Sequence, residues 1–416
     1  SMQRQYNNPA LQTIAIPEFR SFILSRFAFV MAIRMTATTI GWMIYQITKN
    51  PLALGMVGLA EVVPAVSLAL YAGHVIDKSE KKGLLMKTLS LYLVCELALL
   101  AVATPFLFRH IGNQAVEYAI YGLIFCTGIL RAFAGPSMSS MISQIVPRER
   151  LSNAVTWSQG TYLGASVIGH ATSGFLIGHF NYTTVFSTIV SLMLLAIFFV
   201  SRLKKKPILY APKESQRTWG SVKEGLRFVF RTKEVLGAFS LDMFAVLFGG
   251  AVALIPIYAS DILKVGPVGF GWLNAATDIG AITMILCLTF FPLRGKQGLI
   301  LMYAILGFGV CIIVFGLSKL FMLSFFALLF SGMLDGISVV IRGTIIQLKT
   351  PDEMKGRVLS VSSMFINSSN ELGQFESGLA AKLMGTVRAT VFGGCMTLLV
   401  VAITWFKAPS LRKMEY

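Results

Sequence analysis

Apolar runs recur along the whole of this chain. Each is about 20 residues long, the length an α-helix needs to cross the hydrocarbon core of a bilayer. Inside that core every backbone N–H and C=O must find its partner within the protein, so the runs are predicted to be helices. Twelve are expected: Phe22–Ile47, Leu52–Ile76, Leu84–Phe108, Tyr118–Ile145, Leu151–Ile177, Val185–Leu203, Val235–Ile262, Phe270–Phe291, Leu299–Leu317, Phe321–Leu348, Val358–Leu383 and Thr390–Phe406. Composition agrees with this reading. Hydrophobic residues make up 55% of the chain and charged residues 13%, whereas soluble domains carry about 25% charged residues. Mean hydropathy is +0.71. A set of soluble domains is excluded, because the polar residues are too few to cover their surfaces.

The charge distribution gives an orientation. The net charge is +17, and 26 of the 36 Lys and Arg residues fall in the N-terminal tail, the loops after even-numbered spans and the C-terminal tail. Six fall in the opposite loops. Cytoplasmic loops of membrane proteins carry the excess of Lys and Arg, so both termini are expected in the cytoplasm. The basic balance is therefore no sign of nucleic acid binding. The stretch Ser1 to Pro17 is polar, so no cleavable leader is expected, and Ser1-Met2 reads as an expression remnant. Cys95, Cys126, Cys287, Cys311 and Cys395 all lie in apolar runs with neither disulfide nor metal spacing, and are read as packing or lipid-facing residues.

Two halves of the chain resemble each other. TGILRAF (Thr127–Phe133) aligns with SGMLDGI (Ser331–Ile337), and at the same offset Pro147 meets Pro351. KGLLM (Lys82–Met86) is similar to QGLILM (Gln297–Met302). The expected organisation is a six-helix half over residues 1–203, a cytoplasmic linker over 204–234 and a second six-helix half over 235–416. Within the linker, Val222–Val235 is predicted to be an amphipathic surface helix with Leu226, Phe228, Val229 and Phe230 toward lipid. Repeated halves imply a transporter whose substrate path lies between them.

Three motifs carry a resemblance. GHVIDKSEKK (Gly73–Lys82) resembles the signature loop of the major facilitator superfamily. The resemblance implies that Gly73 permits close helix packing and that Asp77, Lys81 and Lys82 join a conformational lock, for which Arg357 is the candidate partner. Arg131 and Gly135 match the R-x-x-x-G spacing that this superfamily links to proton transfer. Gly164, Gly169 and Gly174 match an antiporter glycine pattern, with His170 where proline is usual. NPLALG (Asn50–Gly55), RAFAGPSMSSMISQIVPRERLSNAV (Arg131–Val155), TPDEMKGRVLSV (Thr350–Val361) and SSNELGQFESGLAAKLMG (Ser368–Gly385) look like the drug:proton antiporter group that contains macrolide efflux pumps and enterobactin exporters. Many macrolide-type members carry an acid in mid span one. Here that region reads AIRMTATT, with Arg34 and no acid.

Polar residues inside the spans supply the candidate chemistry. Ser363, Asn367, Asn370, Gln374 and Ser377 recur at helical spacing on span eleven with Glu371 at the border, a stripe expected to line a watery cavity. Glu376 falls on another face with Ser362 and Ser369. Asn274 and Asp278 share a face of span eight, and Asp335 and Arg342 share a face of span ten. By the repeat, Asp335 takes the place of Arg131. Glu61, Asp278, Asp335, Glu371, Arg131 and His170 are the coupling candidates, since a buried carboxyl beside a movable cation can take up and release a proton. Asp242 is a further buried acid. Arg34, Asn274, Ser363, Asn367, Asn370 and Gln374 are the substrate candidates, Arg34 being suited either to an anionic substrate or to pairing with Glu61. Arg26 and Glu96 read as peripheral or snorkelling residues. Tyr45, Trp157, Phe244, Phe248, Tyr258 and Trp272 are expected to line the cavity and stack on a planar substrate.

The expected function is a proton-coupled secondary exporter of amphipathic small molecules, drug or siderophore-like, working by alternating access in a bacterial inner membrane. The implied partners are the substrate, protons and the lipid bilayer. A monomer is expected, with no cofactor, metal or nucleic acid. A lysophospholipid flippase and an uncoupled facilitator or importer of the same fold stay open. No nucleotide-binding loop and no catalytic constellation stands in the sequence, so an ATP-driven pump and an enzyme are disfavoured.

Overall fold

The computed structural model describes residues 8–208, 218–351 and 355–415. Among these residues nine helices are long and apolar enough to cross a membrane, ten if the bent pair of span two is counted as one, and two long, more polar helices complete the series of twelve. Span one is Pro17–Thr48, span three Lys81–Ala103, span four Pro105–Ile145, span five Leu151–His179 and span six Tyr182–Ser201. Span eight is Gly266–Phe290, span nine Gln297–Leu317, span ten Phe321–Lys349, span eleven Lys355–Met384 and span twelve Thr386–Lys407. Spans two and seven are broken. Span two consists of Pro51–Ser67 and Ala69–Lys78, bent by 51° at Leu68, just beyond Pro64. Pro64 lacks the N–H that would continue the helical ladder, and this is the usual cause of such a kink. Span seven runs from Lys233 to Phe248, breaks at Gly249 and Gly250, and continues through a π-helical turn at Tyr258–Ile262. Ser377 Oγ donates to the carbonyl of Gly250 at 3.1 Å, pairing a backbone group left open by the break. Spans five and eleven are long but more polar than the others, and among the described helices they fall short of the hydropathy of a simple membrane span.

Helix ends correct the expected boundaries. Span three stops at Ala103 rather than Phe108, because Thr104 is extended and Pro105 starts the next helix. Span four begins thirteen residues earlier than Tyr118 and kinks at Gly112, whose φ of 81° lies in the region only glycine adopts readily. Asn181 starts span six by accepting from the Thr184 N–H at 2.9 Å. The linker helix is Thr218–Arg231, separated from span seven at Thr232. Its Val229 does not face lipid as expected. It is buried with Val235, Phe239, Ile346 and Val358, and Phe228 packs against this cluster, whereas Phe230 is exposed.

Packing divides the chain into two compact units, Ser1–Met43 with Val63–Ser215, and Ile44–Val62 with Gln216–Tyr416. The end of span one and the start of span two thus belong to the second unit. In the first unit, span three lies against spans four and six, and a short helix, Pro9–Ile14, docks on span five. Trp157 Nε1 donates to the Ala10 carbonyl at 3.1 Å, so this tryptophan anchors the N-terminal helix instead of lining a cavity. Glu18 accepts from Lys206 and from the Lys204 N–H, tying the start of the linker to the base of span one. In the second unit, span eight lies against span ten, and span nine against spans ten and twelve. Spans eight and ten cross at reciprocal glycines: a Cβ on Gly280 would run into the Leu329 backbone, and one on Gly332 into Thr277. The Pro409–Arg412 helix closes the base of this unit, with Leu411 buried and the Gly298 N–H donating to the Met414 carbonyl at 3.1 Å. Among the described residues the five cysteines are free thiols, Cys95 buried and Cys126, Cys287 and Cys395 exposed.

Candidate substrate and coupling sites

Charged side chains gather at one place in each unit. In the first unit, spans one and five run side by side in register. Arg26 Nε donates to the Ser158 carbonyl at 3.0 Å, and Thr38 Oγ1 lies 2.6 Å from His170 Nδ1, both pairs 132 residues apart. Gly169 makes this approach possible, since a Cβ there would come within 3.1 Å of the Met31 carbonyl. The guanidiniums of Arg26 and Arg34 lie over the ring of Tyr162, 5.5 and 5.2 Å from its centroid. Arg26 is therefore no snorkelling residue. Thr38 Oγ1 also donates to the Arg34 carbonyl at 2.8 Å, so one hydroxyl links the backbone of span one to the His170 ring. On the far side of span one, Glu96 is 1% exposed and accepts from Thr36 at 2.8 Å, so it too is interior and not peripheral.

In the second unit, Arg342 on span ten pairs with Asp242 on span seven, and both side chains are buried. The sequence placed Arg342 on the face of Asp335; its partner proves to be an acid 100 residues away in the chain. Asp335 lies within electrostatic reach of Asp242, Arg342 and Asp278. Asp242, Asp335 and Ser338 line a water-sized cavity of about 10 Å³ together with Ala245, Ile305, Phe308 and neighbouring apolar groups. The buried Ser338 hydroxyl has no protein partner. Asp242 and Asp335 share one guanidinium, and Asp278 is within reach of Asp335, so carboxyls outnumber cations at this place.

The remaining candidates are spread more widely. Asn274 is buried on span eight one turn before Asp278. Glu61 and Glu371 are half-buried, and Asn370 is exposed. Gln374 donates to the Leu54 carbonyl at 3.1 Å, which gives it a packing role between spans two and eleven. The side chains of Ser363, Asn367 and Arg357 lie outside the described residues. Arg131 is half-buried on span four. Asp77 is exposed at the end of its helix, Lys81 is buried, and Lys82 donates to the Ser201 carbonyl at 3.0 Å. A Cβ at Gly73 would meet nothing within 4 Å, so the close packing expected at this glycine is absent among the described residues. Of the aromatic candidates, Tyr258 is a core residue whose hydroxyl donates to the Gly316 carbonyl at 3.0 Å. Tyr45 is buried and donates to Asp261. Phe244 and Phe248 stack on each other at 6.4 Å, and Trp272 is 44% exposed.

Comparisons with known proteins agree with this architecture. Residues 10–416 match the transmembrane secretion effector family. The enterobactin exporter EntS of Shigella boydii serotype 18 is 22% identical over 405 residues, covering 96% of this chain and 94% of the exporter. The EntS of Escherichia coli O157:H7 matches at the same identity and coverage. Among solved structures, a D-xylose–proton symporter superposes with a TM-score of 0.71 at 12% identity, covering 96% of this chain and 98% of the symporter. The nucleoside transporter NupG superposes with a TM-score of 0.67 at 14% identity, covering 95% and 98%. At these identities the structural likeness establishes the fold of twelve helices in two six-helix halves.

Proposed function

The chain belongs to the transmembrane secretion effector family of major facilitator transporters, and from that premise we propose that it exports an amphipathic small molecule in exchange for protons. Membership makes it a multi-pass membrane transporter of small molecules. The direction, the coupling ion and the alternating-access cycle are the proposal. The observation that carries it is the buried Asp242–Arg342 pair with Asp335 beside it. Ionisable groups inside a membrane span are costly and mark proton or substrate pathways. In this reading Asp335 takes a proton from the outer side and gives it up inside. Arg342 responds by shifting its pairing between Asp335 and Asp242, and spans seven and ten move with it. Asp278, Glu61, Glu371, Arg131 and His170 are secondary candidates for the same path. Asp77, Lys81, Lys82 and Arg357 would hold the cytoplasmic side closed during part of the cycle. The likeness to the enterobactin exporters favours export, and the distribution of Lys and Arg supports cytoplasmic termini in a bacterial inner membrane. The reading includes a monomeric working unit.

Proteoliposomes holding a pH-sensitive dye and an imposed pH gradient test this. A catechol siderophore, a macrolide, a lipophilic cation and a lysophospholipid are added in turn. The expected result is collapse of the gradient with at least one compound, lost in Asp335→Asn and retained in a surface variant such as Arg294→Gln. Substrate movement with no change in the gradient would overturn proton coupling and leave a facilitator.

A further inference from the structure

The first unit contains a charge that its own residues do not balance. Among the described residues, neither Arg26 nor Arg34 forms an ion pair with a carboxylate. Arg34 lies near the middle of span one, and its Nε is buried without a hydrogen-bond acceptor. Glu96, also buried in this unit, is engaged by Thr36, which projects from the opposite side of span one two residues on. The contact of Arg34 with Tyr162 is a cation–π contact, which supplies no hydrogen-bond acceptor, and Nε is left without one. A guanidinium held in a membrane span without a counter-charge is expensive, and an arriving anion would relieve that cost.

We infer that Arg34, supported by Arg26 and Tyr162, is an anion-binding site that takes the acidic group of a planar amphipathic substrate. An oxyanion such as a carboxylate, sulfonate or phenolate accepts from the edge of Arg34, and the flat apolar part of the molecule lies along Tyr162. Arg26 is two helical turns earlier on the same face of span one, its Nε fixed on the Ser158 carbonyl. It adds positive potential and holds the Tyr162 ring from a second direction. His170, one turn beyond Arg34 through Thr38, borders the site and gives it a polar rim. The inference deepens the exporter reading and rests on it for the word substrate. It adds the charge and shape of what is carried.

The test is equilibrium binding to the full chain in nanodiscs of uncharged lipid, with three probes on one ring system: 2-naphthoate, 2-naphthaleneethanol and 2-naphthylmethylammonium. The site predicts that naphthoate binds best, and that added salt weakens only this probe. Arg34→Gln lowers naphthoate affinity about tenfold or more, the usual worth of a hydrogen bond to a charged group. The same variant leaves naphthaleneethanol unchanged. Arg34→Lys retains part of the preference, and Arg294→Gln retains all of it. If Arg34→Gln does not fold, Arg34→Lys and Tyr162→Leu carry the test, with an intermediate loss expected in each. Equal affinity for the three probes in the unaltered chain, or naphthoate binding untouched in Arg34→Gln, would overturn the site. Anionic lysophospholipid displacing naphthoate while naphthoate itself is not transported would also overturn it, in favour of a lipid headgroup. Proton-linked export of a cationic compound together with no naphthoate preference would sink this inference and leave the exporter reading standing. Naphthoate binding at Arg34 without any proton movement would do the reverse.

Discussion

The two compact units place charges in an apolar solvent and handle them in opposite ways. The second unit sets Arg342 against Asp242 and closes apolar side chains around them. The first unit sets Arg34 against an aromatic ring, with no ion pair to a carboxylate among the described residues. Packing differs in the same direction. In the second unit a Cβ on Gly280, Gly332, Gly378 or Gly393 would strike neighbouring backbone, so these helices touch main chain to main chain. In the first unit Gly73, Gly135 and Gly164 face open space. One unit pairs its buried guanidinium with an acid and brings several glycines into main-chain contact. The other holds Arg34 without an ion pair among the described residues, the condition expected of a group that receives a ligand.

The largest effect that would break this comparison is on stability. Arg342→Leu strands the Asp242 carboxylate and should cost about 3–5 kcal/mol of unfolding free energy. Arg34→Leu strands nothing and should leave the ligand-free protein unchanged or more stable, as often happens when a functional residue is replaced. Thermal and denaturant unfolding in detergent measures both. Equal destabilisation by the two would make Arg34 a structural residue. The double variant Asp242→Leu/Arg342→Leu should recover most of the loss seen in Arg342→Leu.

Next in size is packing. Gly378→Ala puts a Cβ 2.7 Å from the Gly55 nitrogen and 2.9 Å from the Pro51 carbonyl, and overpacking of this kind costs about 1–3 kcal/mol. Gly164→Ala, with open space before it, should change stability by less than about 0.5 kcal/mol and gain slightly in helix propensity. A loss at Gly164 as large as that at Gly378 would mean that the first unit closes on itself more tightly than its helices show.

These outcomes also mark how far the sequence could be read. The twelve helices were legible because each follows from apolar length, and even the polar spans five and eleven kept enough apolar residues to be seen. The break in span two has a visible cause in Pro64. The π-turn at Tyr258–Ile262 has none, because nothing in YASDI differs from ordinary helical sequence. Asp242 and Arg342 could each be suspected as intramembrane charges, but their pairing joins spans seven and ten, and helical spacing reports neighbours only along one helix. Arg26 was misjudged for a related reason. Its place near the start of span one suggested the interface, whereas the register with span five carries it inward to Ser158 and Tyr162. Val229 was assigned to lipid because amphipathicity identifies an apolar face without saying what covers it.

A smaller effect tests the far side of span one. Thr36→Val removes the hydroxyl that donates to Glu96. The expected loss is about 1 kcal/mol, larger if Glu96 is charged, since a buried acceptor is then left unmet. Comparing Thr36→Val with Thr36→Val/Glu96→Gln by unfolding separates the two cases: the second replacement should recover stability only if the carboxyl carries charge.

The smallest effect concerns an ion pair outside the interior. Lys49 Nζ lies 3.8 Å from Asp261 Oδ1, and both side chains are about half exposed, at 53% and 44%. Coulomb attraction there is weakened by water and ions, and the long lysine side chain loses freedom when held in one place. Lys49→Ala should therefore cost at most about 1 kcal/mol, falling toward zero in high salt. Tyr45, which also donates to Asp261, is buried, so Tyr45→Phe should cost more than Lys49→Ala and keep its cost as salt is added. The two variants share one carboxylate and differ in burial and in the charge of the donor. If their losses and salt responses coincide, burial is not what sets the value of a polar contact in this unit. The contrast drawn between Arg342 and Arg34 would then lose its physical basis, because it assumes that an interior charge without a partner is costly while an exposed one is not.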